Sequence, residues 1–277
     1  MLIDTHCHLN MMIRDHEPKN HVPLTQEEKS KCIEIIKDAA QHKVSTIINV
    51  GTTLVESKMS IEVAELSPNI YATVGLHPNS TKKDSWKEIV AEFRTFIKQH
   101  PEKVVGVGEC GIDKHYPNYN LEVQRDAFRA QIELALEYNL GLVVHSRDAA
   151  EETLNILDEY KNETHFRGTM HCYSYTLDYA QDILKMNFVL GLGGTITYKK
   201  NDFLREVAKE TPLSRIVLET DAPFLAPQEY RGKPNKPAYI KNIAEYLAEL
   251  KNESFATVAT QTTENALRLF NIKAAGK

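Results

Sequence analysis

Six side chains of the kind that bind metal stand at or just beyond the ends of short apolar runs. His6 and His8 follow Leu2-Ile3, and Glu109 follows Val104-Val105-Gly106-Val107. His145 follows Leu142-Val143-Val144, His171 follows Gly168-Thr169-Met170, and Asp221 follows Ile216-Val217-Leu218. Short runs rich in Val and Ile and bounded by polar residues read as buried strands. Such strands are expected at residues 2–6, 46–51, 70–76, 103–109, 141–146, 166–171, 187–193 and 214–220, with helical patterns between them. Alternation of this kind predicts a parallel sheet, and closure of the sheet on itself is the simplest architecture: an α/β fold, the (β/α)8 TIM barrel. Ligands at the C-terminal ends of its strands converge on one face. One such histidine is usually structural, whereas six ligand types at corresponding points of successive units are hard to explain as packing. An open doubly wound sheet is disfavoured because no G-x-G-x-x-G opens a helix.

A chain of 277 residues suits one barrel, which takes about 250. Residues 1–272 are expected to form it as a single domain, with 273–277 a frayed tail. No apolar stretch approaches the roughly 18 residues of a membrane span, and Met1-Leu2-Ile3-Asp4 enters a strand without the basic and apolar regions of a secretory signal. The clearest helical pattern, 121–138, puts Phe128, Ile132 and Ala135 on one face, and Glu122, Arg125, Arg129 and Glu133 on the polar side. Two more helices follow the last strand, the first with Ile240, Ile243, Ala244 and Leu247 at helical spacing. Residues 10–28, with Pro18 and Pro23, read as a polar loop able to cover the barrel mouth. Its His16 and His21 are expected to be solvated rather than ligating, since no strand fixes them. Cys7, Cys110 and Cys172 each sit one residue from a proposed ligand. Strand alternation turns them toward the helix layer as buried, reduced thiols, which fits a reducing cytoplasm.

His6-Cys7-His8 places two imidazoles on one strand face, where they can grip one cation. Glu109 lies in Gly108-Glu109-Cys110-Gly111-Ile112-Asp113, and its two oxygens can bridge a pair of cations. His145 and His171 then suit the second cation and Asp221 the first. Nitrogen and oxygen donors of this kind fit Zn2+, Mn2+ or Mg2+. Two such divalent cations about 4 Å apart would activate water and neutralise attacking and leaving oxygens. Asp221 can also accept the proton of that water. Its bland alternative is a helix N-cap before Pro223. Glu219 reads equally as a support behind the ligands or as a buried ion pair.

His77, in Gly75-Leu76-His77-Pro78, points to the same mouth and is assigned to substrate contact or to support behind the ligands rather than to metal. Arg147 follows His145 by two and suits phosphate, its alternative being a salt bridge with Glu151 or Glu152. Tyrosines interleaved with basic residues recur in the loops: Lys114-His115-Tyr116-Pro117-Asn118-Tyr119, Tyr173-Ser174-Tyr175, Tyr198-Lys199-Lys200 and Tyr230-Arg231-Gly232-Lys233. Such loops offer stacking for bases and charge for phosphates, with Arg231 among the substrate contacts. A formal net charge of −5 gives no overall attraction to nucleic acid, so local groups must supply it.

At these residues the chain resembles the TatD family of metal-dependent deoxyribonucleases, within the amidohydrolase-like barrels. The resemblance runs through Asp4-Thr5-His6-Cys7-His8, Gly75-Leu76-His77-Pro78, Gly108-Glu109-Cys110-Gly111-Ile112-Asp113 and His145-Ser146-Arg147. It continues in His171-Cys172-Tyr173-Ser174, in Leu218-Glu219-Thr220-Asp221-Ala222-Pro223-Phe224-Leu225-Ala226-Pro227, and in Arg231-Gly232-Lys233-Pro234-Asn235. It implies a TIM barrel, divalent metals held by His6, His8, Glu109, His145, His171 and Asp221, and hydrolysis of phosphodiesters in DNA. The expected activity is a 3′-5′ exonuclease preferring single-stranded or frayed ends. The expected partner is therefore a DNA substrate; nothing in the sequence calls for a membrane or an obligate protein partner. The alternative is an amidohydrolase-type ester or C–N hydrolase, such as a deacylase of misacylated tRNA. The strand end offers Glu109 where related phosphotriesterases use a carboxylated lysine, which favours the nuclease branch. A non-catalytic binding module is disfavoured, because binding needs no activated water.

Overall fold

Eight parallel strands form one sheet whose neighbours follow chain order. In this computed structural model, which describes residues 1–14, 19–83 and 85–273, they are Leu2–Cys7 (β1), Val44–Asn49 (β2), Ile70–Val74 (β3), Val104–Asp113 (β4), Gly141–Arg147 (β5), Gly168–Met170 (β6), Phe188–Leu192 (β7) and Ile216–Leu218 (β8). Helices alternate with them: Leu9–Ile13 (α1), Gln26–Gln41 (α2), Leu54–Ala64 (α3), Trp86–Gln99 (α4), Leu121–Glu137 (α5), Ala150–Glu159 (α6), Leu177–Lys185 (α7) and Asp202–Glu210 (α8). Ile240–Lys251 (α9) and Phe255–Phe270 (α10) follow the last strand. All the expected strands are present, and the architecture is a single-domain (β/α)8 barrel.

Alternation divides the apolar residues between two layers. Ile3, Ile48, Val105, Val143, Val189 and Val217 form one cluster with Ala266, Leu269 and Phe270, so α10 plugs the end of the barrel where the strands begin. The larger cluster joins the outer strand faces to the helices, including Phe128, Ile132 and Ala135 of α5. That helix starts as capping chemistry requires, with the Asn120 side chain accepting from Val123 N. Ile240, Ile243, Ala244 and Leu247 are fully buried on α9.

Closure is uneven. Parallel ladders, with register shifts in the β1–β2, β3–β4 and β4–β5 pairs, join each strand to the next from β1 to β8. Between β8 and β1 there is a single bridge, Cys7 with Ala222. The fully buried Asp4 carboxylate closes this seam, accepting from Thr220 N at 2.9 Å, Thr220 Oγ1 at 2.6 Å and His6 N at 3.3 Å. Thr5 Oγ1 adds a bond to Leu218 O at 2.9 Å.

The segment 10–28 differs from the expected loop. Its start belongs to α1, whose Leu9 and Ile13 enter the core while Asn49 accepts from Leu9 N and donates to Asn10. Its end belongs to α2, which opens on a capping box between Thr25 and Glu28. Proline and charge masked the short apolar run Leu9-Asn10-Met11-Met12-Ile13. His21 pairs with Glu62 at 3.2 Å. His16 and Pro18 lie outside the described residues, as does the tail from 274.

Asp4→Ala should therefore cost on the order of 2–4 kcal/mol, because it leaves buried donors unpaired at the seam. Urea unfolding in the presence of chelator, which removes any contribution from metal, measures this; a loss below about 0.5 kcal/mol would show that backbone pairing closes the barrel without Asp4.

Candidate metal centre

Between Asp4 and Cys7 the register of β1 slips, and between Val107 and Cys110 that of β4 does the same. Ile3 lines the barrel, so strict alternation would bring Thr5 inward; the slip lets His6 and His8 face the mouth instead. Backbone crowding explains the glycines around Glu109. A Cβ at Gly75 would lie 2.2 Å from the Gly108 carbonyl carbon, and one at Gly111 (φ +144°) would lie 1.9 Å from His145 O. Asp221 has φ +56°, a left-handed conformation that Asp tolerates. No helix starts there: Asp221 N donates to His6 O and Asp221 O accepts from Phe224 N, so the N-cap alternative falls away.

All six proposed ligands converge at the C-terminal ends of the strands. His6 Nε2 lies 3.1 Å from His8 Nε2, 3.3 Å from Glu109 Oε2 and 3.6 Å from Asp221 Oδ1. His8 Nε2 lies 3.3 Å from Asp221 Oδ1. The other Glu109 oxygen, Oε1, lies 2.8 Å from His145 Nδ1 and 3.9 Å from His171 Nε2. Donors about 2.1 Å from one tetrahedral cation are about 3.4 Å apart, so these separations suit metal ligation. The donor atoms of His6, His8 and Asp221 all lie within 4.8 Å of one another, and so do those of His6, Glu109 and His171.

Hydrogen bonds behind the ligands decide where the lone pairs point. His8 Nδ1 faces the Val50 carbonyl at 3.3 Å, and an Nδ1–H donating there leaves Nε2 free to ligate. Asp113 Oδ2 sits 3.0 Å from His145 Nε2, directing Nδ1 at the centre. Glu219 Oε1 lies 2.9 Å from His171 Nδ1, close enough for an ion pair although the ring N–H does not aim at it, and accepts from Cys172 N at 2.6 Å. His77 differs. Its Nε2 is 3.4 Å from Glu109 Oε1, within reach of a ligand role with Glu109 and His145. Yet its Nδ1 accepts from Asn79 N at 3.1 Å, so the neutral ring carries its proton on Nε2 and acts as a donor. Burial lowers the His77 pKa, keeping that neutral form.

Electrostatics favours cations here. Burial pushes the Glu109 carboxyl up, but the charge of His171 and hydrogen bonds from His145 and His6 outweigh it and hold it well below the carboxylate range. Asp221 is likewise lowered, its burial outweighed by His8, His171 and His6. His171 rises to about 10, because Glu219 and Glu109 overcome the effect of burial. His8 and His145 also rise, against burial, through Asp221 in one case and Asp113 and Glu109 in the other.

The centre floors a cavity of about 570 Å3. Arg147 lines it and is exposed; its alternative partner Glu152 is taken by Lys114 at 2.6 Å, while Arg147 lies 5.9 Å from the Tyr116 ring centre. Arg231 does not line the cavity and lies over the Tyr198 ring instead, 4.7 Å from its centre. Several tyrosines have structural duties: Tyr173 is buried, Tyr175 OH bonds Ser146 and Ala149 N, and Tyr230 stacks on Tyr239. Tyr116, 54% exposed, remains at the mouth. Phe224 and Leu225, 50% and 38% exposed, line the same opening and were not among the expected contacts. Large apolar side chains left in water beside a cavity are the signal that marks them, and exposure is invisible in a sequence.

Cys7 and Cys110 are buried in the helix-side core, as alternation requires. Cys172 is a correction: it lines the cavity and is only partly buried. Strand β6 ends at Met170 and Cys172 has φ +45°, so alternation has lapsed there. Burial and the carboxylates of Asp221 and Glu219 push its thiol pKa well up, keeping it protonated.

A parallel barrel with imidazole and carboxylate donors gathered over its strand ends is the architecture of a metal-dependent hydrolase. The family model described as TatD related DNase matches residues 3–271, and the chain belongs to that family. The uncharacterized metal-dependent hydrolase YabD of Bacillus subtilis (strain 168) is 39% identical over 278 residues, covering 98% of this chain and 100% of that protein. The 3′-5′ ssDNA/RNA exonuclease TatD of Citrobacter rodentium (strain ICC168) is 30% identical over 244 residues, covering 86% and 91%. The crystal structure of YjjV, a TatD homolog from Escherichia coli K12, superposes with a TM-score of 0.86 at 28% identity, covering 98% of each chain.

Asp113→Asn should weaken metal affinity by about 10–100-fold with the fold unchanged, since it releases the His145 ring. Metal content after dialysis against buffered zinc, with circular dichroism as control, reads this; unchanged affinity would mean that Asp113 does not orient His145. Cation binding should also tighten as pH rises, because His8, His145 and His171 hold protons above the ordinary imidazole range and must release them. Calorimetry in buffers of different ionisation enthalpy counts those protons, and a pH-independent affinity would contradict the ligand set.

Proposed function

We propose that this protein is a phosphodiesterase acting on DNA, in which His6, His8, Asp221, His145, His171 and Glu109 would hold two divalent cations (Zn2+, Mn2+ or Mg2+). The observation that carries the reading is the division of Glu109: Oε2 faces His6 and His8 while Oε1 faces His145 and His171. Cations in such a shell supply Lewis acidity, lowering the pKa of water and neutralising phosphate charge. The chain supplies the remaining parts. Asp221, held ionised, accepts the proton of the attacking water. Arg147 takes phosphate oxygens through its guanidinium fork, and the Nε2–H of His77 donates to a third oxygen. Arg231 and the exposed Lys199, Lys200 and Lys233 hold phosphates further along the strand.

Substrate class follows from the rim. Tyr116 and Phe224, each about half exposed, line the cavity and suit unstacked bases. Single-stranded or frayed ends are therefore preferred, and the 3′-5′ direction is carried over from the Citrobacter rodentium relative. Free thiols at Cys7, Cys32, Cys110 and Cys172 suit a reducing cytoplasm.

Asp221→Asn should keep the fold and lower kcat on single-stranded DNA by about 10²–10⁴-fold. Near wild-type turnover in a variant verified to be metal-loaded would remove the proton-acceptor role. Phe224→Ala should weaken binding of a single-stranded oligonucleotide by roughly 5–150-fold, the range expected for one stacked base. Equal cleavage of duplex interior and single strand, or binding indifferent to salt, would favour an ester or C–N hydrolase instead.

A further inference from the structure

At the barrel end opposite the metal centre, a recess of about 180 Å3 opens beside the starts of β6, β7 and β8 and the last turns of α10. Arg167, Arg215 and Arg268 line it, with Asn187 and Asn265. Arg167 and Arg215 come immediately before β6 and β8, and Arg268 lies one turn after Asn265 on α10.

Part of each guanidinium is engaged by the fold. Arg167 donates to Leu269 O at 2.8 Å, Asn139 O at 2.7 Å and Asn139 Oδ1 at 2.6 Å. Arg215 donates through Nε and Nη2 to the carbonyls of Leu184, Met186 and Phe188. Arg268 Nη2 donates to Ser214 O and Asn265 Oδ1. These bonds fix where the guanidiniums sit but leave donors over: Nη1 of Arg215, and Nε and Nη1 of Arg268, have no protein acceptor among the described residues.

Charge is the second anomaly. Several other arginines meet carboxylates, as in Arg14 with Glu28, Arg94 with Glu137 and Arg129 with Glu159. The chain has 38 acidic against 33 basic residues, so carboxylates are not scarce. Yet Arg215 is influenced by burial and by the neighbouring Arg268, both lowering its pKa, and Arg167 by burial alone; no carboxylate acts on either. Three cations share a recess with unused N–H groups and no carboxylate paired to them among the described residues. Guanidinium forks of this kind match the oxygens of phosphate. The volume lies below the roughly 300–1,000 Å3 of pockets for larger ligands, which points to a small anion.

We propose that this recess binds a small phosphate-type oxyanion between Arg167, Arg215 and Arg268, at a site separate from the metal centre. The anion ties α10, the helix that plugs the barrel, to the strand starts above it. Inorganic phosphate is the probe, and the thermal midpoint of the full chain is the readout, against chloride at equal ionic strength. Phosphate a few-fold above its Kd should raise the wild-type midpoint by about 1–2 °C. Phosphate at the metal centre contributes equally to wild type and variants and cancels in the comparison. In Arg268→Glu the phosphate-specific rise should vanish, and in Arg268→Lys, which keeps the charge, much of it should remain. No phosphate-specific rise in the wild type, or an equal rise in Arg268→Glu, overturns the proposal. A single-stranded oligonucleotide is the second arm. If Arg268→Glu weakens oligonucleotide binding while the phosphate shift stays intact, the recess belongs to a nucleic-acid path and the proposal fails.

Discussion

The Asp4 carboxylate, without solvent exposure, sits where the barrel has least backbone pairing. Burial drives its pKa up to about 8, against the bonds from Thr220 that favour the ionised form. A fold retains so costly a group when the alternative is worse, and here that is an open seam between β8 and β1. The same bonds place the chemistry. Asp4 holds His6 N and Thr220 N, and one residue beyond Thr220 comes Asp221, whose N–H donates back to His6 O. Closing the barrel and bringing His6 to Asp221 are thus one event.

A second layer of order lies behind the ligands. Convergence alone would leave each imidazole free to flip or change tautomer, and a misplaced proton blocks a ligand as surely as a misplaced ring. Val50 O and Asp113 each occupy one nitrogen of His8 and His145, Glu219 lies against His171 as an ion-pair partner, and Asn79 does the converse for His77. Helix α5 supports this layer from outside. Its buried Gln124 bonds both backbone groups of Asp113, and its buried Gln131 bonds both of Leu76, next to His77. Two polar residues on the core face of an amphipathic helix, costly as core residues, make sense as clamps on the strand ends.

The strands, and the convergence of six donor side chains at their ends, were legible because both depend on local pattern. A Val/Ile-rich run marks a buried strand wherever it falls, and the barrel brings its last residue to a common face. What depended on exact termination was not legible. Alternation holds for Cys7 and Cys110, but β6 stops before Cys172 and turns it toward the cavity. Loop tyrosines look alike in sequence, yet Tyr173 is core, Tyr230 stacks on Tyr239, and only partners distant in the chain tell them from Tyr116. Asp113 stood in a quoted motif without a role, since its target His145 lies 32 residues away.

Net charge describes neither end of the barrel by itself. The excess of acid is spread over helix exteriors, where Glu28, Glu137 and Glu159 are paired with arginines, and fields from such exposed groups fade within about 10 Å at moderate salt. A phosphate meets only the groups near it. At the mouth these are Arg147 and the metal centre; at the base they are Arg215 and Arg268. A barrel separates its two ends by the length of its strands, so each end keeps its own potential and a chain of net negative charge can hold anions at both.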